Sequence, residues 1–148
     1  MSSERGRPEK LSVVVFSGDF DKVHYALVMA SGALATDTPV TLFFTMWACK
    51  ALEKRDEAGI PGWAKMPVSQ EKILGIDLDN RFRERKVATF EEMLEACTAL
   101  GCKFMVCEMG LKGIGMTPDQ LRDDVTIEPG GMVTFLDDAQ KDGSVVFV

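Results

Sequence analysis

The side chains of this sequence best suited to nucleophilic or metal chemistry are four cysteines, Cys49, Cys97, Cys102 and Cys107, and a single histidine, His24. A cysteine attacks as the thiolate, so a reactive one needs a helix start, exposed backbone amides or a cation to favour ionisation. Cys107 has the most suitable neighbours. It is followed by Gly110, Gly113 and Gly115, which leave amides accessible, and a helix beginning just after it would lower its pKa. Glu108 beside it opposes ionisation unless it points away. Metal chemistry is not expected. A lone histidine lacks neighbouring ligands, and Cys97-x4-Cys102 and Cys102-x4-Cys107 are poor matches to a zinc knuckle.

The elements that must carry these side chains alternate between strand and helix. Leu11 to Phe16 is a continuous β-branched and apolar run, the pattern of a strand buried on both faces. It stops at Ser17-Gly18-Asp19, and apolar positions from Phe20 to Ala35 then recur at helical spacing. Pro39 to Thr45 is a second strand, and Met46 to Lys54 has helical composition. Thr89 to Leu100 reads as a helix with a Thr89/Glu92 capping box and Gly101 as its left-handed terminator. Lys103 to Cys107 is a third strand. Pro118 opens a short turn of helix. Val125 to Ile127 is a weak fourth strand, Gly131 to Gln140 a helix, and Ser144 to Val148 a fifth strand. This order predicts an α/β fold: one domain with a parallel five-stranded sheet and helices on both faces, a three-layer Rossmann-like or flavodoxin-like arrangement. Residues 1–10 read as a flexible tail and 11–148 as the domain. Within it, 55–87 is an irregular excursion, with helix expected only around Ser69 to Leu74, of the kind that forms lids, binding loops or oligomer contacts.

In open α/β sheets ligands bind outside the carboxyl ends of the strands, and that rule ranks the thiols. Cys107 closes the third strand and Cys49 follows the second, so both belong to the same edge. Cys102 precedes the third strand, roughly 16 Å away along five residues of strand, too far for a disulfide to Cys107. Cys97 lies within a helix and reads as a small buried hydrophobe. The expectation is therefore a Cys107 sulfur in an accessible niche. Cys49 is a candidate second thiol, and Ser17, Gly18, Asp19, Glu108, Met109 and Gly110 are candidate lining residues.

The balance of charge, −6, and a pI near 4.8 argue against nonspecific nucleic-acid binding. No run reaches the roughly 20 apolar residues of a membrane helix, and MSSERGRPEK has no apolar signal core. A cytoplasmic setting with reduced thiols is expected. The basic run Arg81, Arg83, Arg85 and Lys86 reads first as a solvated face, and second as a docking patch for an acidic partner. His24 reads as a surface or boundary residue, and Met105, Met109 and Met116 as core filler. Gly110-x-x-Gly113-x-Gly115 has neither the place nor the spacing of a dinucleotide fingerprint.

SVVVFSGDFDK at Ser12 to Lys22, FFTMW at Phe43 to Trp47 and above all KFMVCEMGLKGIGM at Lys103 to Met116 resemble the DsrE/DsrF-like family of small sulfur-handling proteins. The most specific part is the Cys-x-Met step at Cys107 to Met109. The resemblance implies an intracellular sulfur carrier or sulfurtransferase that holds sulfane sulfur as a persulfide on Cys107, without a cofactor, and passes it to a partner thiol. It also implies homo-oligomers, with rhodanese-like and TusA-like proteins as partners. Two other functions stay open: a small-molecule module for a nucleotide or coenzyme A at the same strand edge, and a thiol redox protein using Cys49 and Cys107.

Overall fold

The strand-forming runs pair into one sheet in a computed structural model that describes residues 6–148. The strands are β1 (Leu11–Val15), β2 (Val40–Phe44), β3 (Lys103–Cys107), β4 (Ile127–Gly130) and β5 (Ser144–Phe147). Their order is β4-β3-β2-β1-β5, and every pair is parallel. All five carboxyl ends therefore lie along one edge. The helices are α1 (Phe20–Ala35), α2 (Gly75–Glu84), α3 (Phe90–Ala99), α4 (Glu108–Gly113) and α5 (Met132–Ala139).

Alternation along the strands sorts the core onto two faces. Val13, Val15, Leu42, Phe44, Phe104 and Val106 face one side, where the apolar stripes of α1 and α3 bury them in the main core. Val14, Phe43, Met105 and Cys107 face the other side, where they cluster with buried Phe135 of α5. Phe135 stacks on Phe43 with centroids 4.7 Å apart. The far end of α5 is held by Asp138, which accepts from Lys10 Nζ (2.9 Å), Thr41 Oγ1 (2.5 Å) and Lys103 Nζ (2.8 Å). Burial works to raise the Asp138 pKa, and these bonds more than reverse that, bringing it down to about 2.

Two elements differ from the sequence expectation. The helix in the 55–87 excursion is α2, from Gly75 to Glu84, and not Ser69 to Leu74. Residues 67–69 are held against α1: Phe20 N donates to Pro67 O at 2.8 Å, and Ser69 N donates to Asp21 Oδ1 at 2.9 Å. Asp77 then starts the helix by accepting from Leu74 N at 3.0 Å. Gly75 reads in sequence as a breaker, yet it is there for closeness: a Cβ would lie 2.3 Å from Trp63 O. The fourth strand is Ile127–Gly130, displaced from Val125 to Ile127. Pro129 is tolerated because this strand lies at the edge of the sheet.

The excursion itself packs inward. Trp63, Ala64, Met66 and Val68 are buried in the main core, and the Trp63 ring meets Phe20 at 5.7 Å and Phe90 at 5.1 Å. The Thr89/Glu92 capping box forms as expected, and Gly101 takes a left-handed φ of 87°. Of the residues read as a tail, 1–5 lie outside the described residues, while Glu9 N donates to Asp142 O and Lys10 is buried against Asp138.

Candidate functional site

Cys107 occupies two roles at once. It is the last residue of β3, in register with Gly130 of β4, and it is the N-cap of α4, where its Sγ accepts from Gly110 N at 3.3 Å. Strand passes into helix with no intervening loop. A sulfur in this place accepts a backbone N–H in the way that an N-cap oxygen does.

Gly110 permits this arrangement. A Cβ there would lie 2.2 Å from Thr45 Oγ1 and 2.7 Å from Met46 N, so only glycine lets the first turn of α4 rest on the end of β2. The amide of Gly110 is thus committed to the thiol and buried with it. Met46, at the other side of the contact, has a φ of 51°. An unbranched non-glycine residue held in the left-handed region stores about 1–3 kcal/mol of strain.

The accessible niche expected around Cys107 is not formed by the chain alone. The residue is 5% exposed and packs among Val14, Phe43, Met105 and Phe135. Its face is the one covered by α5, and the short α5 provides the closest approach to a lid. Met109, one residue into α4, is 79% exposed, so it is not the core filler expected from sequence. Met105 and Met116 are buried as expected.

Cys49 lies in the 3-10 helix Met46–Leu52 and is fully buried. Burial, with a smaller contribution from neighbouring Cys107, pushes its thiol up to about 12, so Cys49 is held in its neutral form. Cys97, raised to about 11 by burial, donates its Sγ–H to Leu27 O at 3.4 Å between α1 and α3. Burial likewise raises Cys102, to about 12.

The remaining sequence candidates are spread over separate surfaces. Ser17 Oγ accepts from Asp19 N at 3.0 Å. Gly18 and Asp19 line a cavity of about 380 Å³ with Trp47 and Lys50, and Cys107 does not line it. Glu108 is exposed and borders a different groove of about 380 Å³, with Leu111, Arg122 and Pro129. His24 is not a surface residue. It is buried, bonded through Nε2 to Ala88 O at 2.8 Å and packed against Phe82 in a tilted arrangement with ring centroids 4.7 Å apart. Arg81 pairs with Glu71 at 2.6 Å, and Arg83, Arg85 and Lys86 are exposed beside it. Among the described residues, no three His, Cys, Asp or Glu side chains are placed to hold a metal ion. No helix among them is long and apolar enough to cross a membrane.

Sequence reasoning missed two features. The Asp138 anchor is signalled only weakly, by lysines at the starts of two otherwise apolar strands. The second is Trp47, which closes the FFTMW segment and whose place beside a cleft no local pattern signals.

Comparison with known proteins bears on the family and the fold. The chain is 28% identical over 157 residues to the uncharacterized protein YrkE of Bacillus subtilis, covering 95% of this chain and 97% of that one. It is 24% identical over 159 residues to the sulfur carrier protein DsrE2 of Allochromatium vinosum, covering 95% and 98%. Among solved structures, the ychN protein of E. coli superposes with a TM-score of 0.57 at 16% identity, covering 94% of this chain and 98% of that one. A protein of unknown function from Methanobacterium thermoautotrophicum gives 0.59 at 11% identity, with the same coverage. The two structural matches share the parallel α/β fold. The family model described as DsrE/DsrF/DrsH-like matches residues 7–147, and the chain belongs to that family.

Proposed function

We propose that this chain is a sulfur carrier that holds sulfane sulfur on Cys107 and hands it to partner thiols. The observation that supports this most directly is the bond from Gly110 N to Cys107 Sγ at the first turn of α4, which puts a backbone N–H donor where a sulfur-bound anion would need one. The Cys107 thiolate attacks the outer sulfur of a donor persulfide. An S–S bond forms to Cys107 as the donor's S–S bond breaks, and the donor leaves as a thiolate. In the second step an acceptor thiolate attacks the outer sulfur on Cys107 and releases the Cys107 thiolate. Sulfur oxidation states balance over each exchange, and no outside oxidant is required. Rhodanese-like donors and TusA-like acceptors suit this chemistry in a reducing, cytoplasmic setting, and the relative named a sulfur carrier gives the reading its family support.

The same face favours self-association. Val145 and Phe147 point to the side that α5 leaves bare, with Phe147 67% exposed and its ring 5.4 Å from that of the exposed Phe16. Met132, Val133 and Leu136 of α5 are exposed as well. A second copy laid over this face would bury the apolar surface beside Cys107.

The test is intact mass after incubation with a persulfide donor. Wild type gains one sulfur and Cys107→Ser gains none, whereas loading that survives Cys107→Ser rules the proposal out. A redox reading draws on packing: the 3-10 helix that carries Cys49 begins at Met46, against which Gly110 of the turn after Cys107 rests. It predicts a Cys49–Cys107 disulfide on mild peroxide treatment, detectable by peptide mapping.

A further inference from the structure

The carboxyl edge of the sheet holds a second feature that does not involve the thiol. Between the turn after β1 and the 3-10 helix after β2 lies a cleft of about 380 Å³, bordered by Gly18, Asp19, Trp47, Met66 and Pro67. Its size is at the lower end of small-ligand sites, which run from about 300 to 1,000 Å³. Such sites in open α/β sheets sit outside the carboxyl ends of the strands.

The cleft is built with fixed walls. A Cβ on Gly18 would lie 2.9 Å from Trp47 Cβ, and one on Gly62 would lie 2.2 Å from Lys50 O. The opposite wall is tied to the core, with Gly75 N donating to Met66 O at 2.7 Å and Phe20 N to Pro67 O at 2.8 Å. Met66 is buried and supplies an apolar floor. Met46, the residue before Trp47, is held at a left-handed φ of 51°. Strain of this kind persists where the surrounding structure over-determines it, and it concentrates at ligand sites.

The two tryptophans are treated differently. Trp63 is 4% exposed and donates its indole N–H to Glu91 Oε2 at 2.7 Å, whereas Trp47 is 53% exposed at the cleft. An exposed indole beside a cleft offers a surface on which a flat ring can stack. The rim carries acceptors, Asp19 and Glu53, and donors, Lys50 and Lys65. Their charges are already matched: Lys65 with Asp56 at 2.5 Å, Lys50 with Glu53 at 3.9 Å, and Asp19 with Lys22 at 3.6 Å. The rim therefore does not ask for net charge. It suits a neutral ring that has both amino donors and ring-nitrogen acceptors on its edge.

We infer that this cleft binds a purine-type base by stacking on Trp47, and that it does so independently of Cys107. Stacking of a base on an aromatic side chain is lost with the ring, and a neutral rim makes a phosphate dispensable.

The experiment is a titration of the intact protein with adenosine and with AMP, read by saturation-transfer NMR of the ligand and by Trp fluorescence. Adenosine saturates wild type and Cys107→Ser equally, so the outcome is separable from the fate of the sulfur-carrier proposal. Trp47→Ala weakens adenosine by about tenfold or more, Trp47→Phe retains most of the affinity, and AMP binds within about threefold of adenosine. The inference is overturned by any of three results. The first is no saturable adenosine signal with wild type up to roughly 10 mM, beyond which an affinity has little content. The second is undiminished binding to Trp47→Ala. The third is AMP binding far more tightly than adenosine, which would make phosphate the determinant. Should Trp47→Ala fail to fold, the wild-type titration and Trp47→Phe still decide.

Discussion

Cys107 is 5% exposed, and the side chain that closes its cluster from the helical side is Phe135, so removing that ring should open the thiol. In Phe135→Ala a fully buried phenyl ring and its 4.7 Å stack on Phe43 are lost. Core Phe→Ala changes cost about 3–5 kcal/mol. Helix α5 has 8 residues, and apart from Phe135 it is held mainly by the Asp138 bonds, so the loss falls on its docking more than on the main core across the sheet. If about 3 kcal/mol of it acts on the equilibrium between docked and undocked α5, the open population rises about 100-fold. The assay is the rate of iodoacetamide labelling, resolved by peptide mapping into Cys107 and Cys97. Cys97 lies on the opposite face between α1 and α3 and reports global unfolding. Labelling of Cys107 should accelerate by about two orders of magnitude while Cys97 changes far less, because modification through an open state follows that state's population. Equal acceleration at both thiols, or an unchanged Cys107 rate in a variant whose melting temperature has fallen, would refute the idea that α5 controls access. Wild-type Cys107 reacting as fast as a free thiol would refute the burial itself.

Three further outcomes follow from the same geometry. Gly110→Ala places a Cβ 2.2 Å from Thr45 Oγ1, so α4 must lift from β2; we expect a loss of roughly 2–3 kcal/mol in urea unfolding together with loss of sulfur loading, checked by intact mass. Asp138 has its folded pKa depressed to about 2 from 3.8, so it contributes about 2 kcal/mol above pH 4 that fades as pH falls from 4 towards 2; in Asp138→Asn this acid-side loss of stability, followed by thermal melts at a series of pH values, should be smaller. Phe147→Glu puts a charge on the apolar face of β5 and should shift the protein towards monomer in analytical ultracentrifugation, while an unchanged sedimentation profile would show that copies do not meet there.

The fold was readable because its signals are local. β-branched runs such as Leu11 to Phe16, the Thr89/Glu92 box and the left-handed Gly101 each encode structure within a few residues, and the structure reproduces them. The differences arise where a long-range contact decides. Gly75 is a helix position because Trp63 and Phe20 press against it, and Ile127–Gly130 is a strand because β3 supplies a partner that accepts Pro129 at an edge. The site was partly legible for the same reason. The position of Cys107 at the end of a strand and the start of a helix can be counted off the sequence, and the local amide bond follows from it. Its burial cannot be counted off, since it depends on α5 crossing back over the sheet to place Phe135 there. His24 differs for the same reason: the ring's partners, Phe82 and Ala88, come from the end of the excursion and the residue just after it, a segment whose path no local pattern specifies.

Because β3 runs into α4 without a loop, the backbone of residue 107 is fixed on both sides, by the ladder to Gly130 and by the turn that ends on Gly110. On the sulfur-carrier proposal, a cargo on this sulfur has no arm on which to swing. Lipoyl- or phosphopantetheine-style carriers bring their freight to successive workstations; on that proposal the workstations would have to visit the freight here. Exchange would then be a bimolecular encounter at a single docking geometry, its speed set by how readily a visiting surface reaches one immobile atom beneath α5.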